Sequence, residues 1–126
     1  MKKVVLSICA LKAMNFLLET VIAPRHTIVL VQNAMEGMHV LRNKATVDVV
    51  IVDLDYDTQE NIEFISHIKS SRLYSGCKVI VLSSMIATMS ESEVRMVDLI
   101  FYKPFSPERV IDFISSLSIQ NTTLAI

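Results

Sequence analysis

Four consecutive β-branched residues, Val49 to Val52, end abruptly in Asp53, and further carboxylates follow at Asp55 and Asp57. An apolar run that short cannot make a helix, and its β-branching reads as a strand buried on both faces. Strands of that kind belong to parallel sheets, whose ligands sit at the strands' carboxyl ends. Asp53 therefore stands where a working carboxylate would stand. The competing reading is a polar strand terminus that faces solvent.

The rest of the chain repeats this unit. β-rich runs are expected at Lys3–Ile8, His26–Val31, Lys78–Leu82 and Leu99–Tyr102. Between them lie segments with helical spacing. Leu11, Met14, Leu17, Leu18 and Val21 mark a first helix, closed by Ala23-Pro24. Asn33 is a helix N-cap with Glu36 as its capping-box partner. Ile62, Phe64, Ile65 and Ile68 mark a third helix, and a weakly patterned fourth is expected over Met85–Met96, with a cap-like Ser90 inside it. The last helix opens on Ser106-Pro107-Glu108, with the cap, the proline and the acid each where a helix start favours them. Its buried face is Val110, Ile111, Phe113, Ile114 and Leu117. Five strands alternating with five helices predict an α/β domain: a doubly wound, five-stranded parallel sheet in a three-layer sandwich, with right-handed crossovers. The domain is expected over residues 1–119, with 120–126 a frayed tail.

The chain has 126 residues, enough for one domain with its own core. A net charge of −1 gives no electrostatic case for nucleic acid or for an anionic membrane. Two glycines cannot build a glycine-rich phosphate cradle. Cys9 and Cys77 lack disulfide-scaffold or metal spacing and read as reduced, buried thiols. His26, His39 and His67 are scattered, have no ligand spacing, and are expected at the surface. No apolar run approaches a membrane span, and the apolar stretch after Lys2-Lys3 is too short for a signal peptide, so a cytoplasmic location is expected.

Three polar features fall at successive strand ends: Asp53, Ser83-Ser84 and Lys103. Strand ends of one parallel sheet lie side by side, so these side chains can converge. A carboxylate, a hydroxyl and an ammonium in one shallow crevice suit a phosphoryl group, which the first accepts and the other two hold.

On these residues the chain resembles the receiver domain of bacterial two-component response regulators, a flavodoxin-like fold. The similarity runs from Asp48 to Lys69, through Val79-Ile80-Val81-Leu82-Ser83-Ser84, to Lys103-Pro104-Phe105. Asn33-Ala34-Met35-Glu36-Gly37 resembles the family's entry to its second helix. The resemblance implies Asp53 as phosphoacceptor position, Ser83 as switch hydroxyl and Lys103 as phosphate-contacting lysine, with a cis peptide before Pro104. It also implies a partner surface around the fourth helix and fifth strand, taking in Met85, Ile86, Met89 and Tyr102. Methionine suits adaptable partner surfaces, although core packing is the plainer reading of these residues.

The departures carry as much. Receivers place two adjacent acids after the first strand to bind Mg²⁺, whereas the corresponding residues here are Ile8 and Cys9. A hard cation needs oxygen ligands, so no cofactor or metal is expected. Ile100 stands at the aromatic switch position, and Asp57, Thr58 and Asn61 replace the family's usual loop proline and glycines. The pattern resembles a degenerate receiver, a pseudo-receiver, acting within a phosphorelay by protein–protein interaction and not as an enzyme. Its expected partner is a histidine kinase or a downstream effector, with a homodimer as a further option. One alternative is a working phosphoacceptor that uses Asp53. A remote one is a phosphatase of the haloacid-dehalogenase type, suggested by Asp53-Leu54-Asp55. Against all three stands a bland reading: Asp53 with Lys103 as a structural ion pair, Asp55 and Asp57 as solvated loop acids, and Cys9 as an inert thiol.

Overall fold

The computed structural model describes residues 2–43, 46–84 and 89–124, with 118–124 as backbone only. The elements are β1 (Val4–Ile8), α1 (Lys12–Ile22), β2 (Thr27–Val31), α2 (Ala34–Asn43), β3 (Val49–Asp53), α3 (Thr58–Ser70), β4 (Lys78–Ser83), α4 (Glu91–Val94), β5 (Leu99–Tyr102) and α5 (Pro107–Leu124). All strand pairs are parallel, in the order β2-β1-β3-β4-β5. This is the doubly wound α/β sheet that the alternation predicts.

The two faces of the sheet carry separate apolar clusters. Val50, Val52, Leu6 and Ile8 point to one, where Ile62, Ile65 and Ile68 of α3 cover them. Val49, Ile51, Val5 and Leu82 point to the other, under Leu18 and Ile22 of α1 and Val110 and Ile114 of α5. Every residue of β3 is buried, which accounts for its unbroken β-branched run. The chain leaves β1 toward β2 on one side and returns to β3 on the other. The crevice between their carboxyl ends is the switch point of such a sheet.

One close approach fixes this geometry. Gly37 of α2 lies so near β1 that a Cβ there would sit 2.6 Å from Ile8 Cδ1 and 3.4 Å from Phe64 Cζ. Ile8 thus turns into the core against α2, away from the crevice.

Several expectations are corrected. The buried residues of α1 are Asn15, Leu18 and Ile22, while Leu11 and Leu17 are 38% and 37% exposed. A helix apolar on most sides does not announce its inner face. Asn15 is buried because it is saturated: its Nδ2 donates to the carbonyls of Cys9 and Val31, and Oδ1 accepts from Ser7 Oγ.

Helix α4 is only Glu91–Val94, with Ser90 as its N-cap in a capping box with Glu93; the cap ends the expected Met85–Met96 helix on its N-terminal side. Met85 and Ile86 lie outside the described residues. At α2 Asn33 caps as expected, but Glu36 reaches back to the N–H of Gln32. At α5 the Ser106 hydroxyl donates to the Glu108 carboxylate. The backbone of α5 continues to Leu124. No glycine or proline follows Pro107 to stop it, and extending a formed helix is easy.

His26 is the last correction. It is 4% exposed, with Nδ1 accepting the Lys3 N–H at 3.0 Å and Nε2 3.4 Å from Ser115 Oγ on α5. His39 and His67 are exposed, as expected.

Candidate functional site

The site lies at the carboxyl ends of β1, β3, β4 and β5. Asp53 closes β3 and is 1% exposed. Its Oδ1 accepts the N–H of Asp55 at 2.9 Å. Its Oδ2 lies 2.6 Å from Lys103 Nζ and accepts the Cys9 thiol at 3.3 Å. Lys103 follows β5, across a cis peptide to Pro104, and its N–H donates to the Ser83 carbonyl at 2.9 Å. Backbone pairing to the end of β4 therefore sets where the ammonium can reach. Ser83 itself is 2% exposed.

Asp55, expected to be solvated, is instead part of the site. Its Oδ2 lies 2.8 Å from Lys103 Nζ, and its Oδ1 accepts the Ser84 N–H at 2.9 Å. One ammonium thus bridges two carboxylates, and those pairings are strong because both donor and acceptor are charged. Burial works against the charge on Lys103, but the hydrogen bonds to Asp53 and Asp55 outweigh it and hold its pKa above the ordinary lysine value. Burial likewise opposes ionisation of Asp55, yet Lys103 and the Ser84 N–H prevail and hold it below the ordinary carboxylate value. Asp57 stays exposed, at φ 50°, a left-handed conformation that aspartate tolerates.

Cys9 is 2% exposed. Burial first, then the adjacent charge of Asp53, pushes its thiol up to about 12. It is a protonated donor and not a nucleophile.

Sequence reasoning also missed Asn61. It is buried, and its Nδ2 donates to the carbonyls of Asp53 at 3.1 Å and Tyr56 at 3.0 Å, pinning the β3–α3 loop over the site. The signal in the sequence is Asn61 itself, standing where the resembled family has a glycine, one helical turn after Asp57. Of the expected partner surface, Tyr102 is 44% exposed, and Met89 is half-buried against the core cluster under α3. Met85 and Ile86 are not among the described residues.

No protein-family model matches the chain, and no curated protein matches it in sequence. Solved structures do match in shape. The Francisella response regulator 1452 receiver domain superposes with a TM-score of 0.81 at 17% identity, over 95% of this chain and 99% of that one. A CheY-like response regulator receiver domain from Methanospirillum hungatei JF-1 gives 0.81 at 16% identity, over 98% of both chains. The fold is that of a receiver domain. The phosphorylated cyanobacterial phytochrome response regulator RcpA shares this receiver fold with a TM-score of 0.69 at 21% identity, over 93% of this chain and 91% of that one. At these identities the likeness is one of fold, and the site must be judged on its own residues.

Judged so, the receiver fold here does not offer Mg²⁺ a fitting ligand set. Ile8 is turned into the core, and Cys9 presents a protonated thiol, where a hard cation wants oxygen. The oxygens that remain, on Asp53 and Asp55, already face the Lys103 ammonium. Among the described residues, no group of three or more His, Cys, Asp or Glu side chains could hold a metal ion. Nor is any helix among them long and apolar enough to cross a membrane.

Proposed function

We propose that the chain is a receiver module of a two-component signalling system that acts by protein–protein docking, with little or no Mg²⁺-dependent phosphorylation. One observation carries this reading: both oxygens of the buried Asp53 carboxylate are occupied, by Lys103, the Cys9 thiol and the Asp55 amide. The charge that develops in phosphoryl transfer needs a cation free to follow it, and magnesium normally supplies that. Lys103 is committed to two carboxylates already. On this reading the protein is not an enzyme, works in the cytoplasm, and meets a histidine kinase or a downstream effector, with a homodimer as a further option. Tyr102 and Met89 lie on the face offered for docking.

A second reading keeps Asp53 as a working acceptor. The contact between Asp53 and Lys103 favours it, since the lysine stands where it could hold a transferred phosphoryl group. The phosphatase reading loses ground: an Asp55 held ionised by Lys103 and the Ser84 amide is a poor proton donor.

Intact-mass measurement after incubation with Mg²⁺ and acetyl phosphate separates the first two readings. The docking reading expects no adduct. A stoichiometric phosphate that disappears in Asp53→Asn would overturn it in favour of the second.

A further inference from the structure

Two donors meet at Asp55. Lys103 Nζ lies 2.8 Å from one oxygen, and the Ser84 N–H donates to the other at 2.9 Å. These residues lie just beyond β5 and β4, so neither donor is local to Asp55 in the chain; Ser84 is 29 and Lys103 48 residues away. Lys103 simultaneously reaches Asp53. The space just outside Asp53 is therefore framed by an ammonium and a strand-end amide, and the anion that satisfies both is a side chain of the same molecule. With side chains 18% and 15% exposed, Asp55 and Lys103 roof over Asp53, whose side chain is 1% exposed.

An ammonium and an N–H converging on the two oxygens of one carboxylate are donors that an oxyanion such as phosphate also accepts. We propose that Asp55 is a built-in anionic ligand: it occupies an oxyanion site formed by Lys103 and the Ser84 amide, and excludes free phosphate or a phosphoryl group from it. Opening the site requires displacing Asp55. This inference deepens the reading of Asp53 above by naming what closes its site, but the oxyanion site itself needs no transfer to Asp53.

The test uses inorganic phosphate as probe and the amide resonance of Ser84 as readout, on the full chain. In the wild-type protein the Ser84 amide should not respond to phosphate. In Asp55→Ala it should shift saturably, with affinity roughly tenfold to a hundredfold tighter than any wild-type binding, as expected when one charge-assisted contact is freed. The shift should vanish in Asp55→Ala/Lys103→Met. Asp55→Asn, which keeps the size and an acceptor oxygen but not the charge, should fall between wild type and Asp55→Ala, and carries the same test if the alanine variant does not fold. A Ser84 amide unmoved in both Asp55 variants overturns the inference, as does wild-type binding as tight as theirs. If Asp55→Ala binds phosphate but acetyl phosphate never modifies Asp53, the oxyanion site stands and the working-acceptor reading falls. If wild type is phosphorylated on Asp53 as readily as Asp55→Ala, the docking reading and this inference fall together.

Discussion

Replacing Lys103 with methionine tests the ion cluster most directly. The substitution keeps the aliphatic stem and removes the ammonium. Asp53, 1% exposed in the wild-type protein, is then left with one good donor, the Asp55 N–H at 2.9 Å, and one weak one, the Cys9 thiol at 3.3 Å. Taking one partner from a buried ion pair costs about 3–5 kcal/mol. The lower end applies here, because the Lys103 side chain is 15% exposed and water can reach its place. A loss of about 3 kcal/mol should lower the urea midpoint by about 1–3 M, read from equilibrium unfolding at neutral pH. Asp53→Asn/Lys103→Met removes both charges and should recover much of that loss, with a coupling of about 1 kcal/mol or more between the sites. The pH dependence follows from the two shifts. Lys103 has a raised pKa, so its contribution is full below the ordinary value of 10.5 and is lost as pH rises through the higher folded value. Asp55 has a lowered pKa, so its contribution is full above 3.8 and is lost as pH falls through the lower folded value. The cluster should therefore stabilise across the neutral range and fail at both extremes. A Lys103→Met protein within about 0.5 kcal/mol of wild type would refute the reasoning, since surface substitutions do no more than that. Strict additivity in the double variant would refute it equally.

Three further outcomes are expected. Gly37→Ala sets overpacking against Ile8 Cδ1, about 1–3 kcal/mol, against about 1 kcal/mol of helix propensity gained, for a net loss of up to about 2 kcal/mol, and Ile8→Val should relieve that loss in the double variant; equilibrium unfolding checks both. Cys9, with its thiol at about 12, should resist iodoacetamide at pH 8 in the native protein and react once unfolded, so fast native labelling at Cys9 by peptide mapping would contradict its place beside Asp53. Burial, then nearby positive charge that includes Arg25 and Lys3, lowers the His26 pKa, so its contribution is full above the ordinary value of 6.5 and is lost as pH falls through the folded value; the slope of stability against pH below neutrality should flatten in His26→Gln.

Much of this protein was written locally. Each strand is a short apolar or β-branched run bounded by polar or breaking residues, and the burial of β3 on both faces shows in its lack of alternation, so the order of elements and the parallel sheet could be read directly. Asp53, Ser83 and Lys103 could be placed together for the same reason: strand ends of one parallel sheet are neighbours, whatever lies between them in the chain. The missing acids at Ile8 and Cys9 were equally visible, because an apolar side chain and a thiol are poor partners for a hard cation in any fold.

What tertiary structure decided was pairing and facing. Nothing in the chain tells that Asp55, and not solvent, would take the second contact of a lysine 48 residues away; that depends on the reach of Lys103 from a backbone hydrogen bond to Ser83. Ile8 turns to α2 because Gly37 leaves room for it, and His26 is buried because α5 brings Ser115 over it. Helix α1, apolar on most sides, shows its inner face only once Asn15 finds the carbonyls of Cys9 and Val31. The sequence alone determined a receiver-like sheet with an acid at its switch point, because periodicity and strand-end adjacency are properties of short segments. Whether that acid is open or roofed over was decided by the fold, because charge pairing and side-chain burial depend on which distant segments arrive at the same place.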